Sequence, residues 1–192
     1  MSNIFNKKAN QNLGANTLET KYKSCVGNIL LVVIFSVINI VLLLTNADTY
    51  FLFSAFIPYF TVSLGKYLCG FYPNEYYTDA ENMLFLNSSV FYITIAVAAV
   101  IILVYFICWL FAKKKKIGAV IFALIFFIID TLAMVFISGF SGDSILDIVF
   151  HIGVIVYLCI AISTYNKIKK SEQENAVLQE TLTETNENYT LN

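Results

Sequence analysis

The sequence predicts an all-α integral membrane protein: a four-helix transmembrane bundle with an additional interfacial or re-entrant helical segment on its outer side. The chain of 192 residues is 58% hydrophobic and only 13% charged, whereas an ordinary soluble domain carries about a quarter charged residues. A helix needs about 20 apolar residues to cross a hydrocarbon core of about 30 Å. Four windows meet this requirement, residues 24–46, 89–112, 117–138 and 144–166.

The remaining segments give the domain organisation. Residues 1–23 form a polar tail, residues 47–88 a long loop, residues 139–143 a short turn, and residues 167–192 an acidic tail. Four consecutive lysines, Lys113, Lys114, Lys115 and Lys116, separate the second window from the third. From residue 171 onward we expect a frayed helix or a disordered tail, because the composition is polar and rich in Glu.

The lysines predict the orientation in the membrane. Short loops rich in Lys stay on the cytoplasmic side, and eleven of the twelve lysines fall on one side of the four windows, with Lys66 the exception. We therefore expect a multi-pass protein of the cell membrane with both termini in the cytoplasm. All basic residues are Lys and Asn is abundant, a usage that is typical of low-GC bacterial genomes.

A fifth apolar window, residues 50–72, leaves two interpretations open. Its aromatic residues suit the headgroup boundary, and Pro58 favours a break. These features predict two short helical pieces that lie on or dip into the outer leaflet, kinked near Pro58, with Asp48 as the first N-cap. If the window spanned the membrane instead, every later helix would be inverted and the four lysines would lie outside.

Two capping boxes mark predicted helix starts. Thr78–Glu81 predicts a short helix over residues 79–86, and Ser144–Asp147 predicts the start of the fourth spanning helix. A stripe of small residues on the third helix offers a surface for close approach of another helix. It comprises Ala119, Ala123 and Ala133.

Polar residues inside the windows are the main functional candidates, because ionisable groups in hydrocarbon are costly unless paired or hydrated. Asp130, His151, Asn39 and Thr94 all lie roughly 8–12 Å below the outer boundary by residue count. We predict one polar layer from these four. Asp130 and His151 form either a structural pair that shares a proton or a proton relay, ion pathway or ligand contact. Asn28 and Asn39 are expected to be interhelical hydrogen-bonding residues.

Other chemistry is not indicated. There is no Cys-x-x-Cys motif; four helices with an outer segment resemble the architecture of membrane thiol oxidoreductases, but the cysteine pairs of that chemistry are missing. One His and one Asp are too few for a metal site. We expect no cofactor and no nucleic-acid partner; the expected partners are the lipid bilayer and a membrane protein or a second copy.

Three functions therefore remain. A non-enzymatic membrane protein that acts by helix packing with a partner or with itself is favoured. A proton-coupled transporter or channel component that uses Asp130 and His151 is the first alternative. An enzyme that acts on lipid at the outer leaflet is the second, although no nucleophile–base pair supports it.

Overall fold

The computed structural model describes residues 2–47, 49–77, 84–139 and 142–190, and these form five helices and no strand. The helices are α1 (Ser2–Leu44), α2 (Phe56–Leu68), α3 (Ser88–Lys113), α4 (Ile117–Ser138) and α5 (Gly142–Thr190), with a single 3-10 turn at Asn74–Tyr76. The all-α prediction is thus confirmed for the described residues. Four helices are long and apolar enough to cross a membrane, namely α1, α3, α4 and α5.

These four long helices pack as a ring. Helix α1 contacts α3 and α5, and α4 contacts the same two helices from the other side. The buried residues of each helix recur every three or four positions, as on α4 at Val120, Ala123, Phe127 and Met134. We call the end of the ring that carries Lys113–Lys116 the lysine end, and the opposite end the loop end.

Both terminal helices are longer than the sequence predicts. Helix α1 begins at Ser2 and α5 continues to Thr190, whereas tails were expected over residues 1–23 and after residue 171. Neither stretch contains Pro, and extending an existing helix costs far less than starting one. Of the two alternatives expected after residue 171, the described residues agree with a helix, which continues α5 to Thr190.

At the lysine end, Lys115 connects three parts of the chain. Its Nζ donates to Glu19 Oε1 at 2.7 Å and lies 3.6 Å from Glu172 Oε1. The hydrogen bond to Glu19 raises the pKa of Lys115. The backbone of Lys115 is left-handed, with φ of 59°, as is common just after a helix ends. Lys115 therefore ties α1 and α5 to the loop after α3.

The long loop enters the ring from the loop end. Residues 49–55 run without regular structure alongside α1, and α2 then turns back toward the loop end, packing against α1, α3 and α4. We call residues 49–68 the inserted segment. Helix α2 has 13 residues, which gives a length of about 20 Å. That length is less than the hydrocarbon thickness of about 30 Å, which argues against a fifth span.

The predicted kink at Pro58 is wrong. Helix α2 is one continuous helix with its N-cap at Ala55, so Pro58 is its third residue. An amide there would have no partner within the helix, so the missing N–H of proline costs nothing in the first turn. The residues before α2 are irregular rather than a first helical piece.

Other predicted helix starts have different outcomes. Asp48 and the Thr78–Glu81 capping box lie outside the described residues, and Leu84–Asn87 is not helical. Helix α5 begins at Gly142, so Asp147 is its sixth residue rather than part of a first-turn capping box.

Helix α2 crosses α3 at a close contact between Gly65 and Thr94. A Cβ at Gly65 would lie 2.2 Å from Thr94 Oγ1 and 2.9 Å from Thr94 Cβ. Only glycine permits this approach, so the contact sets how closely the inserted segment packs on the ring.

Replacing Gly65 with alanine is expected to lower the free energy of unfolding by about 1–3 kcal/mol, because the new methyl group overlaps Thr94. Denaturant unfolding in detergent micelles measures this change. Gly27→Ala is the matched control, since nothing lies within 4 Å of a Cβ there. Adding Thr94→Ala to the Gly65→Ala variant should restore part of the loss; a further loss would contradict the contact.

Candidate functional site

The first turn of α2 is held by side chains from other helices. Phe56 N donates to Asp130 Oδ2 at 2.8 Å, and Ile57 N donates to Asp130 Oδ1 at 2.8 Å. Ala55 N donates to Ser36 Oγ at 2.8 Å, and Pro58 has no N–H. Every unpaired amide at the start of the helix is therefore satisfied, and no side chain of α2 itself takes part.

Asn39 holds residues 49–55, the irregular part of the inserted segment that precedes α2 and is here called the arm. Its Nδ2 donates to Phe51 O at 2.7 Å and to Ser54 Oγ at 2.8 Å, while its Oδ1 accepts from Phe51 N at 2.8 Å. Ser54 Oγ is also 2.8 Å from Tyr50 Oη. Asn39 is fully buried, so its amide replaces the backbone pairing that this arm lacks.

Aromatic packing completes the hold on the arm. The Phe53 ring lies 4.2 Å from that of Phe150 on α5 and 6.5 Å from that of Phe35 on α1, centroid to centroid. Phe53 has a φ of 70°, a conformation that is costly for a bulky residue. It persists because the surrounding packing fixes it.

Asp130 and His151 form a buried pair, as the sequence predicts. His151 Nε2 lies 3.4 Å from Asp130 Oδ2, and both side chains are no more than 1% exposed. The His151 ring stacks on Phe127, with centroids 5.0 Å apart and planes 15° apart. The pair lies about 12 Å from the loop end, at the level of Ser36.

The hydrogen bond at His151 Nδ1 shows which nitrogen of the ring carries hydrogen. His151 Nδ1 lies 2.8 Å from the carbonyl oxygen of Asp147, which accepts only, so Nδ1 must carry hydrogen. Nε2 would then be an acceptor in a neutral imidazole, facing a carboxylate oxygen that also accepts. At 3.4 Å the two atoms are not hydrogen-bonded, and Nε2 has no hydrogen-bond partner among the described residues.

Three buried polar atoms in the described part of the chain lack a hydrogen-bond partner. They are Tyr105 Oη, Asp147 Oδ1 and His151 Nε2. Asp147 is one turn from His151 on α5, and the Tyr105 ring contacts Phe127, on which His151 stacks. This unused hydrogen-bonding capacity is concentrated around His151.

The structure unites three of the four residues of the predicted polar layer. Asp130 and Asn39 hydrogen-bond the inserted segment, and His151 lies beside Asp130. Thr94 instead donates to Phe91 O at 2.8 Å and faces Gly65, which is nine residues along α2 from Phe56, or about 13 Å. Thr94 therefore lies nearer the loop end than the other three residues, and counting residues along α3 did not give its depth.

One predicted residue does not belong to this polar site, and two residues that do belong to it were not predicted. Asn28 donates only within its own helix, to Ser24 O and Cys25 O, so it is not interhelical. Ser36 and Ser54 are essential members that the predicted layer omits. Ser36 lies one turn from Asn39 on α1, and this spacing was the available signal.

A second polar site lies at the other end of α2. A cleft with a volume of about 720 Å³ opens at the loop end. Lys66 Nζ, in its wall, donates to Leu43 O at 2.7 Å and to Asn46 Oδ1, and lies 4.5 Å from the centre of the Tyr72 ring. Burial lowers the pKa of Lys66. Five tyrosines line the same cleft: Tyr50, Tyr59, Tyr67, Tyr72 and Tyr76.

Compared with protein-family models, with curated proteins and with solved structures, the chain gives no match. Its chemistry must therefore be read from its own residues. Among the described residues, no group of three or more His, Cys, Asp or Glu side chains is placed to hold a metal ion. The four cysteines are all free thiols.

Asp130→Asn is expected to lower the free energy of unfolding by about 3 kcal/mol, because an amide offers one acceptor to the two N–H groups of Phe56 and Ile57. His151→Gln should cost less. The combined loss should differ from the sum by about 0.5–3 kcal/mol, because the two groups touch. Denaturant titration of the four proteins in one detergent measures this coupling.

Asn28→Ala serves as the matched control for this double-mutant cycle, since Asn28 bonds only within α1. Its effect should add simply to that of Asp130→Asn. Simple additivity for Asp130 and His151 as well would contradict the pairing.

Proposed function

We propose that this chain is a non-enzymatic multi-pass protein of a bacterial cell membrane that acts by binding, through contacts of its helices with a partner protein or with a second copy. In this proposal α1, α3, α4 and α5 span the bilayer, the lysine end and both termini are cytoplasmic, and the inserted segment is re-entrant from the outside. Four apolar helices of spanning length support the membrane location. The distribution of lysines supports the orientation.

The observation that carries the non-enzymatic proposal is the engagement of Asp130. Both of its carboxylate oxygens accept backbone amides of α2, so the one buried acid of α4 is committed to holding the fold. Asn39 and Ser36 are committed in the same way. Among the described residues no nucleophile is hydrogen-bonded to a base, the arrangement that activates a nucleophile in covalent catalysis.

The proposed contact surface is the outward stripe of α4. The small-residue stripe considered for this role faces inward in part, since Ala123 is 1% exposed. Large apolar residues instead point outward at spacings of three and four, with Phe136 85% exposed. The stripe comprises Phe122, Ile125, Ile129, Leu132 and Phe136.

A proton-coupled transporter or channel component is the second candidate. The buried contact between Asp130 and His151, and the unpartnered polar atoms near His151, favour it. Neither residue lines the cleft at the loop end, and both side chains are no more than 1% exposed. We therefore rank this function second.

The orientation can be tested by cysteine labelling. In a variant whose four native cysteines are replaced, Glu75→Cys should react with a membrane-impermeant reagent in intact cells, because Glu75 is exposed at the loop end. Glu174→Cys, on the opposite side of the ring, should react only after lysis. The reverse pattern would invert the proposed topology.

Native mass spectrometry of the protein, extracted gently from its own membrane, tests the binding function. We expect a second protein or a second copy at a fixed ratio, and a loss of that complex when Ile129→Lys places a charge on the outward stripe. Ile152→Lys on α5 is the matched control, because both residues are 51% exposed.

Proteoliposomes with a trapped pH-sensitive dye separate the two candidates. The binding function predicts that the reconstituted protein moves no protons. Proton movement that disappears in His151→Gln would establish the transporter instead, and a lone monomer in native mass spectrometry would contradict binding through helix contacts.

A further inference from the structure

The cleft at the loop end is lined by one ammonium group, that of Lys66, and by one described carboxylate, that of the exposed Glu75. Lys66 is only 3% exposed, and its ammonium group is bonded to a carbonyl and an amide oxygen, both of which are neutral. No described carboxylate lies within 4 Å of it. A buried ammonium without a counter-ion attracts an anion more strongly than an exposed one, because water screens it less.

The same cleft offers neutral hydrogen-bond donors. Among the described residues, the hydroxyl groups of Tyr59, Tyr67 and Tyr76 have no hydrogen-bond partner, whereas those of Tyr50 and Tyr72 are bonded to Ser54 and Ser63. Burial raises the pKa of Tyr59, so its hydroxyl keeps its proton at neutral pH and can donate. Phenol hydroxyls beside an ammonium group suit an oxyanion.

The cleft also has an apolar part that can receive more than the anion. The rings of Tyr50 and Tyr59 pack edge to face at 4.9 Å, and those of Tyr72 and Tyr76 lie 5.4 Å apart. Leu43, Phe60 and Leu64 extend the wall toward the helices. A volume of about 720 Å³ is within the usual range for a small-molecule site.

We propose that this cleft binds the phosphate head group of an anionic phospholipid, with the phosphate near Lys66 and the tyrosine hydroxyls and the glycerol and upper acyl chains against Phe60 and Leu64. The cleft opens at the end of the ring where α1 and α4 finish, which is the depth at which head groups lie around a spanning helix. This site is separate from the outward stripe of α4, so it does not depend on the partner proposed above.

The test uses the full-length protein in a mild detergent, titrated with short-chain phosphatidylglycerol and followed by native mass spectrometry. The same titration with short-chain phosphatidylcholine tests charge, and glycerol 3-phosphate tests whether phosphate alone suffices. Phosphatidylglycerol is expected to bind at least about tenfold more tightly than either of the other two.

Lys66→Met removes the charge while keeping an unbranched side chain, and it should weaken phosphatidylglycerol binding by roughly tenfold. Lys170→Met is the control for loss of one positive charge, since Lys170 is exposed at the other end of the ring. Because Lys66 also bonds the end of α1, a second variant is needed that leaves this contact intact. Tyr59→Phe combined with Tyr76→Phe removes only two hydroxyls and should weaken binding severalfold.

Tyr92→Phe is the control for the tyrosine variant. Tyr92 lies near the N-terminus of α3, at the loop end; it is 67% exposed and does not line the cleft. Equal binding of phosphatidylcholine, or tyrosine variants that bind like the wild type, would overturn the proposal. Equal binding of glycerol 3-phosphate would replace the lipid with a soluble phosphate ligand. A partner found on the α4 stripe, or its absence, leaves each of these outcomes unchanged.

Discussion

The fold depends on one interaction, the capping of the α2 N-terminus by Asp130. Helix α2 begins inside the ring, about 12 Å from the loop end, where the surrounding helices bury Ala55 and Phe56. Each unpaired amide there would cost several kcal/mol. Asp130 from α4 and Ser36 from α1 accept these amides, so the inserted segment is stable only when the long helices have already assembled around it.

The two polar sites, around Asp130 and around Lys66, lie at the two ends of the short helix α2. Asp130 brings a carboxylate to the N-terminus of α2, and Lys66 brings an ammonium group to its last turn. Both charges match the helix dipole, which is positive at the first end and negative at the second. Gly65 permits the close contact with Thr94 that fixes α2 between these ends. A shift of α2 along its axis would therefore disturb the cap and the cleft together, which couples the interior of the ring to its loop end.

The sequence predicts the long helices well, because about 20 apolar residues in a row specify a spanning helix without reference to any neighbour. It also predicts the pairing of Asp130 with His151, since both lie at one depth on helices joined by a short turn. It does not predict the inserted segment in detail. Ala55 is a poor N-cap. The carboxylate that caps α2 is that of Asp130, which lies on another helix 74 residues from Phe56, so no local sequence pattern predicts it. Thr94 was misplaced for a related reason: counting residues from the end of one helix does not give depth relative to the other helices, because that depends on how the helices pack.

The capping role also explains why a buried acid and a histidine occur here without any need for transport. A carboxylate can accept two adjacent amides with a separate oxygen for each, whereas a serine or asparagine side chain has a single acceptor oxygen. A lone buried carboxylate would be costly, and the two amide donors of α2, with His151 beside them, offset that cost. A transport cycle would require Asp130 to change partners, and each change would break its hydrogen bonds to α2. The same geometry that makes the pair a good cap therefore makes it a poor proton carrier, unless movement of α2 is itself part of the cycle.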